Sequence, residues 1–260
     1  DGRVAFTGGV NLADEYINQK ERFGHWKDTA IMIEGEAVRS FTIMFLEMWS
    51  VDKNLKNTPM ELFEKYLDII PDKESEPGDG FVMPYGDSPL DNETVGEQVY
   101  MDILYTARDY VHIMTPYLIL SNEMITALTY AAKRGVDVKI IMPHIPDKWY
   151  AFVLAKTYYN ELLDAGVKIY EYTPGFVHAK VFTSDDEKAV VGTINLDYRS
   201  LYLHFECAVY LYQNEEIPRV EADFQETLAK CQEVLPSDYR RQKLFDRMAG
   251  RVLRILAPLM

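Results

Sequence analysis

A chain of 260 residues with 48% hydrophobic content and a formal charge of −14 is a folded protein with room for one large core or two smaller ones. Its acidity argues against a nucleic-acid partner, because such proteins neutralise backbone phosphates with clustered Lys and Arg; an anionic lipid surface would have to be met through an apolar element or a local basic patch. Two cysteines, Cys207 and Cys231, provide neither a disulfide framework nor a metal-ligand spacing, no apolar run reaches the roughly 18 residues of a membrane span, and the first residues are not a signal sequence.

In chain order, Arg3–Thr7 reads as a strand running into the Gly8-Gly9 turn, Ala30–Ile33 as a second strand, and Glu36–Val51 as a helix with Phe41, Phe45, Met48 and Trp49 near one stripe. From Pro71 to Pro89 the composition turns to Asp, Glu, Ser, Gly and Pro, apart from the apolar Phe81–Met83. This shift divides the chain into residues 1–75, a linker at 76–92 and residues 93–260. Beyond it a helix (Thr94–Ala107), a strand (Val111–Met114), a helix (Asn122–Arg134), a strand (Val136–Met142), a helix (Tyr150–Asp164) and a strand (Val167–Tyr172) alternate. That order implies a mostly parallel run of strands within an α/β fold whose mixed sheet is flanked by helices. Val177–Thr183 is expected to turn at Ser184–Glu187 into Ala189–Val191, followed by a strand at Glu206–Tyr212 and a helix at Glu221–Leu235. The tail from Tyr239 is basic and apolar, with Leu244, Met248, Val252, Ile255 and Leu259 near helical spacing. It reads as a terminal helix packed on the domain, with a membrane-surface helix as the alternative.

The chemistry is concentrated in His178-Ala179-Lys180, Asp185 and Gly192-Thr193-Ile194-Asn195. Phosphodiester transfer needs a nucleophile, an acid for the leaving alkoxide, and fixed charge or donors on the non-bridging oxygens. His178 supplies the first or second of these, Lys180 a compact positive charge, and Asn195 an uncharged donor. Glu206, 28 residues after His178, is a carboxylate able to fix a histidine tautomer. The run is partly repeated: Asp1 stands ten residues before Asn11, as Asp185 stands before Asn195. A first His and Lys are then expected upstream of Asp1. At Glu206's spacing the first half has Arg22, which cannot act as a carboxylate, and Asp28 is the substitute. His25, His112, His144 and His204 read as structural.

The pattern His-x-Lys-x4-Asp-x6-Gly-Thr-x-Asn with Glu206 resembles the phospholipase D superfamily. Phe6-Thr7-Gly8-Gly9-Val10-Asn11, Trp26-Lys27-Asp28, Thr115-Pro116-Tyr117, Tyr170-Glu171-Tyr172-Thr173-Pro174-Gly175-Phe176 and Asn195-Leu196-Asp197-Tyr198-Arg199-Ser200 are similar to bacterial cardiolipin synthases, and the likeness covers essentially the whole chain. The resemblance implies two pseudo-symmetric α/β lobes, the first truncated here, sharing one site. It implies phosphatidyl transfer between two phosphatidylglycerol molecules through a phosphohistidine, giving cardiolipin and glycerol with no cofactor or metal. His178, Lys180 and Asp185 form the catalytic motif, in which Asp185 and Asp1 brace turns; Thr193 and Glu206 support it, and Lys180, Asn195 and Asn11 hold the phosphate. Arg199 is either a lipid-phosphate ligand or a surface ion-pair residue. The parent protein is placed at the cytoplasmic side of the bacterial membrane, with phosphatidylglycerol and the anionic membrane surface as partners and no nucleic acid. With one such motif the chain alone is expected to be inactive unless a homodimer brings two copies of His178 together. Another phosphodiesterase of the superfamily, a phospholipase or nuclease, and a non-catalytic lipid- or phosphate-binding fragment are the alternatives.

Overall fold

The computed structural model describes residues 2–52, 61–67, 78–240 and 244–259; Asp1 lies outside them. The first part holds β1 (Val4–Gly8), β2 (His25–Lys27), β3 (Ala30–Glu34), α1 (Val38–Asp52) and α2 (Glu61–Leu67). The second holds β4 (Phe81–Asp87), α3 (Val95–Thr106), β5 (Tyr110–Met114), α4 (Asn122–Lys133), β6 (Asp137–Pro143), α5 (Trp149–Asp164), β7 (Lys168–Tyr172), β8 (Gly175–Val177), β9 (Val181–Ser184) and β10 (Lys188–Gly192). A π-turn (Arg199–Leu203), β11 (Glu206–Tyr212), α6 (Ile217–Leu228), β12 (Cys231–Glu233), α7 (Pro236–Arg240) and α8 (Leu244–Leu256) complete it.

Eight strands form one mixed sheet in the order β12-β7-β6-β5-β9-β10-β11-β4. Its central strands are buried on both faces, and alternation sends successive residues to opposite layers. Val111, Ile113, Ile140, Phe182 and Val190 join the core under α3, α4 and α5, whereas Met114, Ile141, Val181 and Val191 pack with Phe224 of α6. Tyr100 of α3 stacks on Phe182 with ring centroids 4.0 Å apart, and its hydroxyl donates to the Ile194 carbonyl at 2.9 Å. The Gly192–Asn195 loop is thus held from beneath by the core.

Several expectations need correction. The eight-stranded sheet is mixed, as the fold class implied, but less parallel than the alternation suggested: within it only β5-β6 and β6-β7 pair in parallel, and the other five pairings are antiparallel. The reason is the connections after β7, which include the tight Ser184–Glu187 hairpin turn, where parallel strands need a long crossover. The stretch read as a linker contains β4, which pairs along its whole length with β11. Its last residue, Asp87, accepts from the backbone N–H groups of Val95 (2.9 Å) and Gly96 (2.7 Å) at the start of α3. Glu221–Leu235 is not one helix: α6 ends at Leu228 and the chain returns as β12 beside β7. Val177–Thr183 is not one strand either, and β2 is an additional strand; both bear on the site.

Asp185, grouped by the motif with His178 and Lys180, sits at the far end of the β9–β10 hairpin, roughly 20 Å of extended chain from His178. Asp185 and Asp186 have φ of 56° each, left-handed backbone that Asp tolerates in the tight turn between the paired Ser184 and Lys188. Its carboxylate accepts from the backbone N–H groups of Arg108 (2.8 Å), Asp109 (3.0 Å) and Tyr110 (2.9 Å). Its role is therefore to lock the hairpin to the start of β5. Asp185→Ala is expected to lower unfolding stability by about 2 kcal/mol, the scale of hydrogen bonds to a charged group, read from the urea midpoint at unchanged slope.

Candidate active site

The two parts of the chain are joined by backbone pairing. β2 runs parallel to β8, with His25, Trp26 and Lys27 opposite Gly175, Phe176 and Val177, and the His178 N–H donates to the Lys27 carbonyl at 2.8 Å. Asn18 holds the other edge of β2 with two side-chain bonds to Trp26, at 2.9 and 2.7 Å. After Val177 the chain leaves this small sheet, and from Val181 it belongs to the large one. His178-Ala179-Lys180 is therefore the crossing between two sheets and not the interior of one strand.

That crossing aims His178 at the first part of the chain. Its Nδ1 meets Asp28 Oδ2 at 2.9 Å, with the His178 and Asp28 side chains 15% and 3% exposed. The other Asp28 oxygen accepts from the Thr29 N–H at 2.9 Å. Tyr16 approaches the imidazole edge-on at 5.3 Å, and Trp26 and Phe176 complete an aromatic surround at 5.4 and 5.9 Å. With Nδ1 committed to a carboxylate, Nε2 is the reactive nitrogen. Burial lowers the His178 pKa, Asp28 opposes that shift, and the nearby Lys180 adds to it. Gly9 makes the approach possible: a Cβ there would lie 2.1 Å from Asp28 Oδ1 and 2.6 Å from the His178 carbonyl.

Lys180 is 3% exposed and donates to the His178 carbonyl. Burial pushes its pKa down to about 7, against the pull of Asp28, Glu206, Asp197 and Asp147. An ammonium kept short of its water shell is ready to gain from an anionic ligand.

Glu206, expected from spacing to fix a histidine, here binds hydroxyls. Oε2 accepts from Thr193 Oγ1 and Oε1 from Ser200 Oγ at 2.9 Å. Burial raises its pKa. Asn195 Nδ2 donates to Ser200 Oγ at 2.8 Å, and Asn195 Oδ1 is buried without a hydrogen-bond partner. In this orientation Asn195 presents an acceptor. To serve a phosphate oxygen its amide must turn over, so that the Ser200 hydroxyl donates to Asn195 Oδ1 instead of to Glu206. Asn11 donates to Tyr16 Oη at 2.9 Å and lines a cleft of about 800 Å³ with Thr193 and Glu206, walled on the far side by Phe41, Phe45 and Met48 of α1. Arg199 is exposed on the π-turn. His25-Trp26-Lys27 repeats the His-x-Lys spacing, but its side chains go to Tyr172 (3.0 Å) and Asp223 (2.7 Å). Among the described residues no group of three or more His, Cys, Asp or Glu is placed to hold a metal ion.

Register explains why counting residues from the motif gave Arg22. Gly192 of β10 pairs with Ala208 of β11, and Gly8 of β1 pairs with Ala30 of β3. Glu206 and Asp28 each stand two residues before those alanines, so Asp28 is the structural counterpart of Glu206. The first half reaches it by a connection six residues longer, Asn11 to Asp28 against Asn195 to Glu206. Arg22 lies on that excursion, paired with Glu15 at 3.2 Å.

Two small parts of related strand pairing meet here at a histidine held by a carboxylate and flanked by a buried lysine. The same arrangement of strands and helices is found in the phosphatidylserine synthase of Haemophilus influenzae Rd KW20, with a TM-score of 0.68 at 15% identity over 99% of this chain and 67% of that one. The fold is that of the phospholipase D-like proteins. Within that class residues 100–228 match the family model described as Cardiolipin synthase, PLD-like domain. The chain is 35% identical over its full length to the cardiolipin synthase of Alkalihalophilus pseudofirmus, covering 50% of that protein. It is 60% identical to an uncharacterized protein of Streptococcus mutans serotype c, covering 55% of it. The chain thus spans about half the length of the curated relatives it matches.

Proposed function

We propose that this chain supplies the second half of a two-lobed phosphatidyltransferase site, with an upstream lobe segment carrying the first His and Lys. One imidazole Nε2 attacks the phosphorus of phosphatidylglycerol, forming an N–P bond as the bond to the glycerol oxygen breaks. The other imidazole protonates that leaving alkoxide. A glycerol hydroxyl of a second phosphatidylglycerol then attacks phosphorus, gives its proton to the same imidazole, and releases the first histidine with cardiolipin. His178 is assigned the acid and then base role, and Lys180 carries the charge of the non-bridging oxygens. By the correspondence of Glu206 with Asp28, Glu206 would accept a hydrogen bond from the Nδ1–H of the first-motif histidine, each lobe orienting the other's imidazole. Thr193 and Ser200 hold Glu206 until then, while Asn11 and Asn195 contact the headgroup.

The observation that carries this reading is the His178–Asp28 pair formed between the lobes beside a buried lysine. Relatives described as cardiolipin synthases support the choice of substrate. The proposed setting is the cytoplasmic face of the bacterial membrane; among the described residues no helix is long and apolar enough to cross it. The test uses the 260-residue chain beside a version extended upstream through the first His and Lys. Both are incubated with phosphatidylglycerol vesicles, and cardiolipin and glycerol are followed by mass spectrometry. Cardiolipin from the extended protein alone is expected. Phosphatidic acid in its place would make the protein a hydrolase, and intact substrate in both samples would end the lipid assignment.

A further inference from the structure

The tail beyond α7 departs from the rest of the chain in charge. Six of the 27 Lys and Arg, but only one of the 41 Asp and Glu, lie in residues 240–260. An acidic chain thus carries a basic segment, and α8 gives that segment two faces. One face is seated. Gly250 packs so closely on α5 that a Cβ would lie 2.7 Å from Thr157 Cγ2. Leu253 and Ala257 join the main core. Arg254 donates to the Thr157 carbonyl and to Glu161, both at 3.2 Å, with its guanidinium over the Tyr158 ring.

The opposite face is bare. Phe245, Met248, Val252 and Ile255 are 71%, 60%, 60% and 80% exposed, a continuous apolar stripe at helical spacing. Phe245 stacks on Trp149 at the start of α5, itself about half exposed. The adjoining Lys148 lies over the ring of Tyr117, which donates to Asp147 at 2.6 Å. Leu118, the residue after Tyr117, pairs with Leu196 beside Asn195. The stripe therefore begins beside the site and runs away from it along α5.

We infer that the outer face of α8, with Trp149, docks onto an anionic phospholipid bilayer, the apolar stripe entering the acyl boundary while the exposed Arg251 meets the headgroups. Charge complementarity selects this occupant. A second copy of a chain with charge −14 would be repelled over most of its surface, whereas a bilayer carrying negative headgroups attracts the one basic segment and accepts an aromatic and aliphatic stripe. The orientation also leaves the site end of α5 at the lipid surface.

The test is co-sedimentation of the 260-residue chain with vesicles of phosphatidylcholine alone and of an equal mixture with phosphatidylglycerol, at low and high salt. The chain is expected to pellet with the mixed vesicles, and less so as salt rises. The double variant Val252→Asp with Ile255→Asp is expected to lose about tenfold or more in binding at unchanged Tm, both side chains being exposed. Arg251→Glu should lose binding to the mixed vesicles specifically. Equal pelleting of the double variant would overturn the inference. So would a dimer in sedimentation equilibrium that the double variant abolishes without affecting vesicle binding, since α8 would then be an interface between copies. Docking is separable from the transfer chemistry: His178→Ala should pellet like the unchanged chain.

Discussion

Asparagine at position 28 is expected to lower phosphatidyl transfer by the upstream-extended protein about 10³- to 10⁴-fold, with KM little changed. The scale is that of removing the carboxylate behind a histidine in other acid–base pairs. Asp28 accepts from Nδ1 at 2.9 Å and so selects the tautomer with a free Nε2. Asparagine fits the same space but can offer its N–H to Nδ1, which drives the proton to Nε2. The change also removes charge. Asp28 is the group that raises the His178 pKa against burial, so in Asp28→Asn that pKa falls further. An imidazole that must be protonated to release glycerol then works only at lower pH, and the upper limb of the pH–rate profile moves toward acid. Nitrogen-15 spectra of the His178 ring would report the tautomer independently. A loss of less than tenfold, or an unmoved profile, would leave Asp28 as a packing residue only.

Lys180 gives the second large effect, on stability. Its pKa in the folded chain is about 7, against an ordinary lysine value near 10.4 in the unfolded chain. Below about pH 7 both states carry the proton and the full cost of burying the charge is present. Between there and the ordinary lysine range only the unfolded chain is protonated, so stability rises with pH as that cost is relieved. Lys180→Met, which keeps the stem and removes the charge, should therefore raise Tm most at pH 6, with the advantage over the unchanged chain shrinking toward pH 10. Inorganic phosphate or a soluble phosphodiester should narrow the gap at pH 6 by stabilising the charged amine in the unchanged chain alone. A difference in Tm that stays constant with pH would show that Lys180 is not titrating in the folded protein.

The regular parts of the fold were legible because their signals are local. Strands β5, β6 and β7 alternate with α4 and α5 at ordinary spacing, and the Ser184–Glu187 turn carries residues that tolerate left-handed backbone. The location of the His-Lys-Asn run was legible for the same reason, being almost contiguous. What escaped depends on tertiary partners. Val177-His178-Ala179-Lys180-Val181 alternates like a single strand, and nothing in it says that Val177 pairs with Lys27 while Val181 pairs with Met114 and Val191. Strand β12 has three residues, too few to interrupt a helical pattern running from Glu221. Asp28 could be named only as a substitute, because the excursion before it breaks the count from Asn11. Only strand register restores the equivalence with Glu206. The π-turn at Arg199–Leu203 has no composition signal; its Ser200 nevertheless links Asn195 to Glu206.

The parallel pairing of β2 with β8 ties the histidine of the second part of the chain to the acid of the first through main-chain atoms. A single-residue insertion on either side would slide that register by about 3.3 Å and separate Nδ1 from its carboxylate, whatever side chains were kept. The two halves of such a protein are therefore bound to a shared history. Point substitutions can accumulate in each lobe separately, but changes of length around residues 24–28 and 174–178 must be inherited together. Chimaeras that exchange a lobe at 78–80 would then recombine freely in sequence yet work only between parents with the same lengths in both stretches.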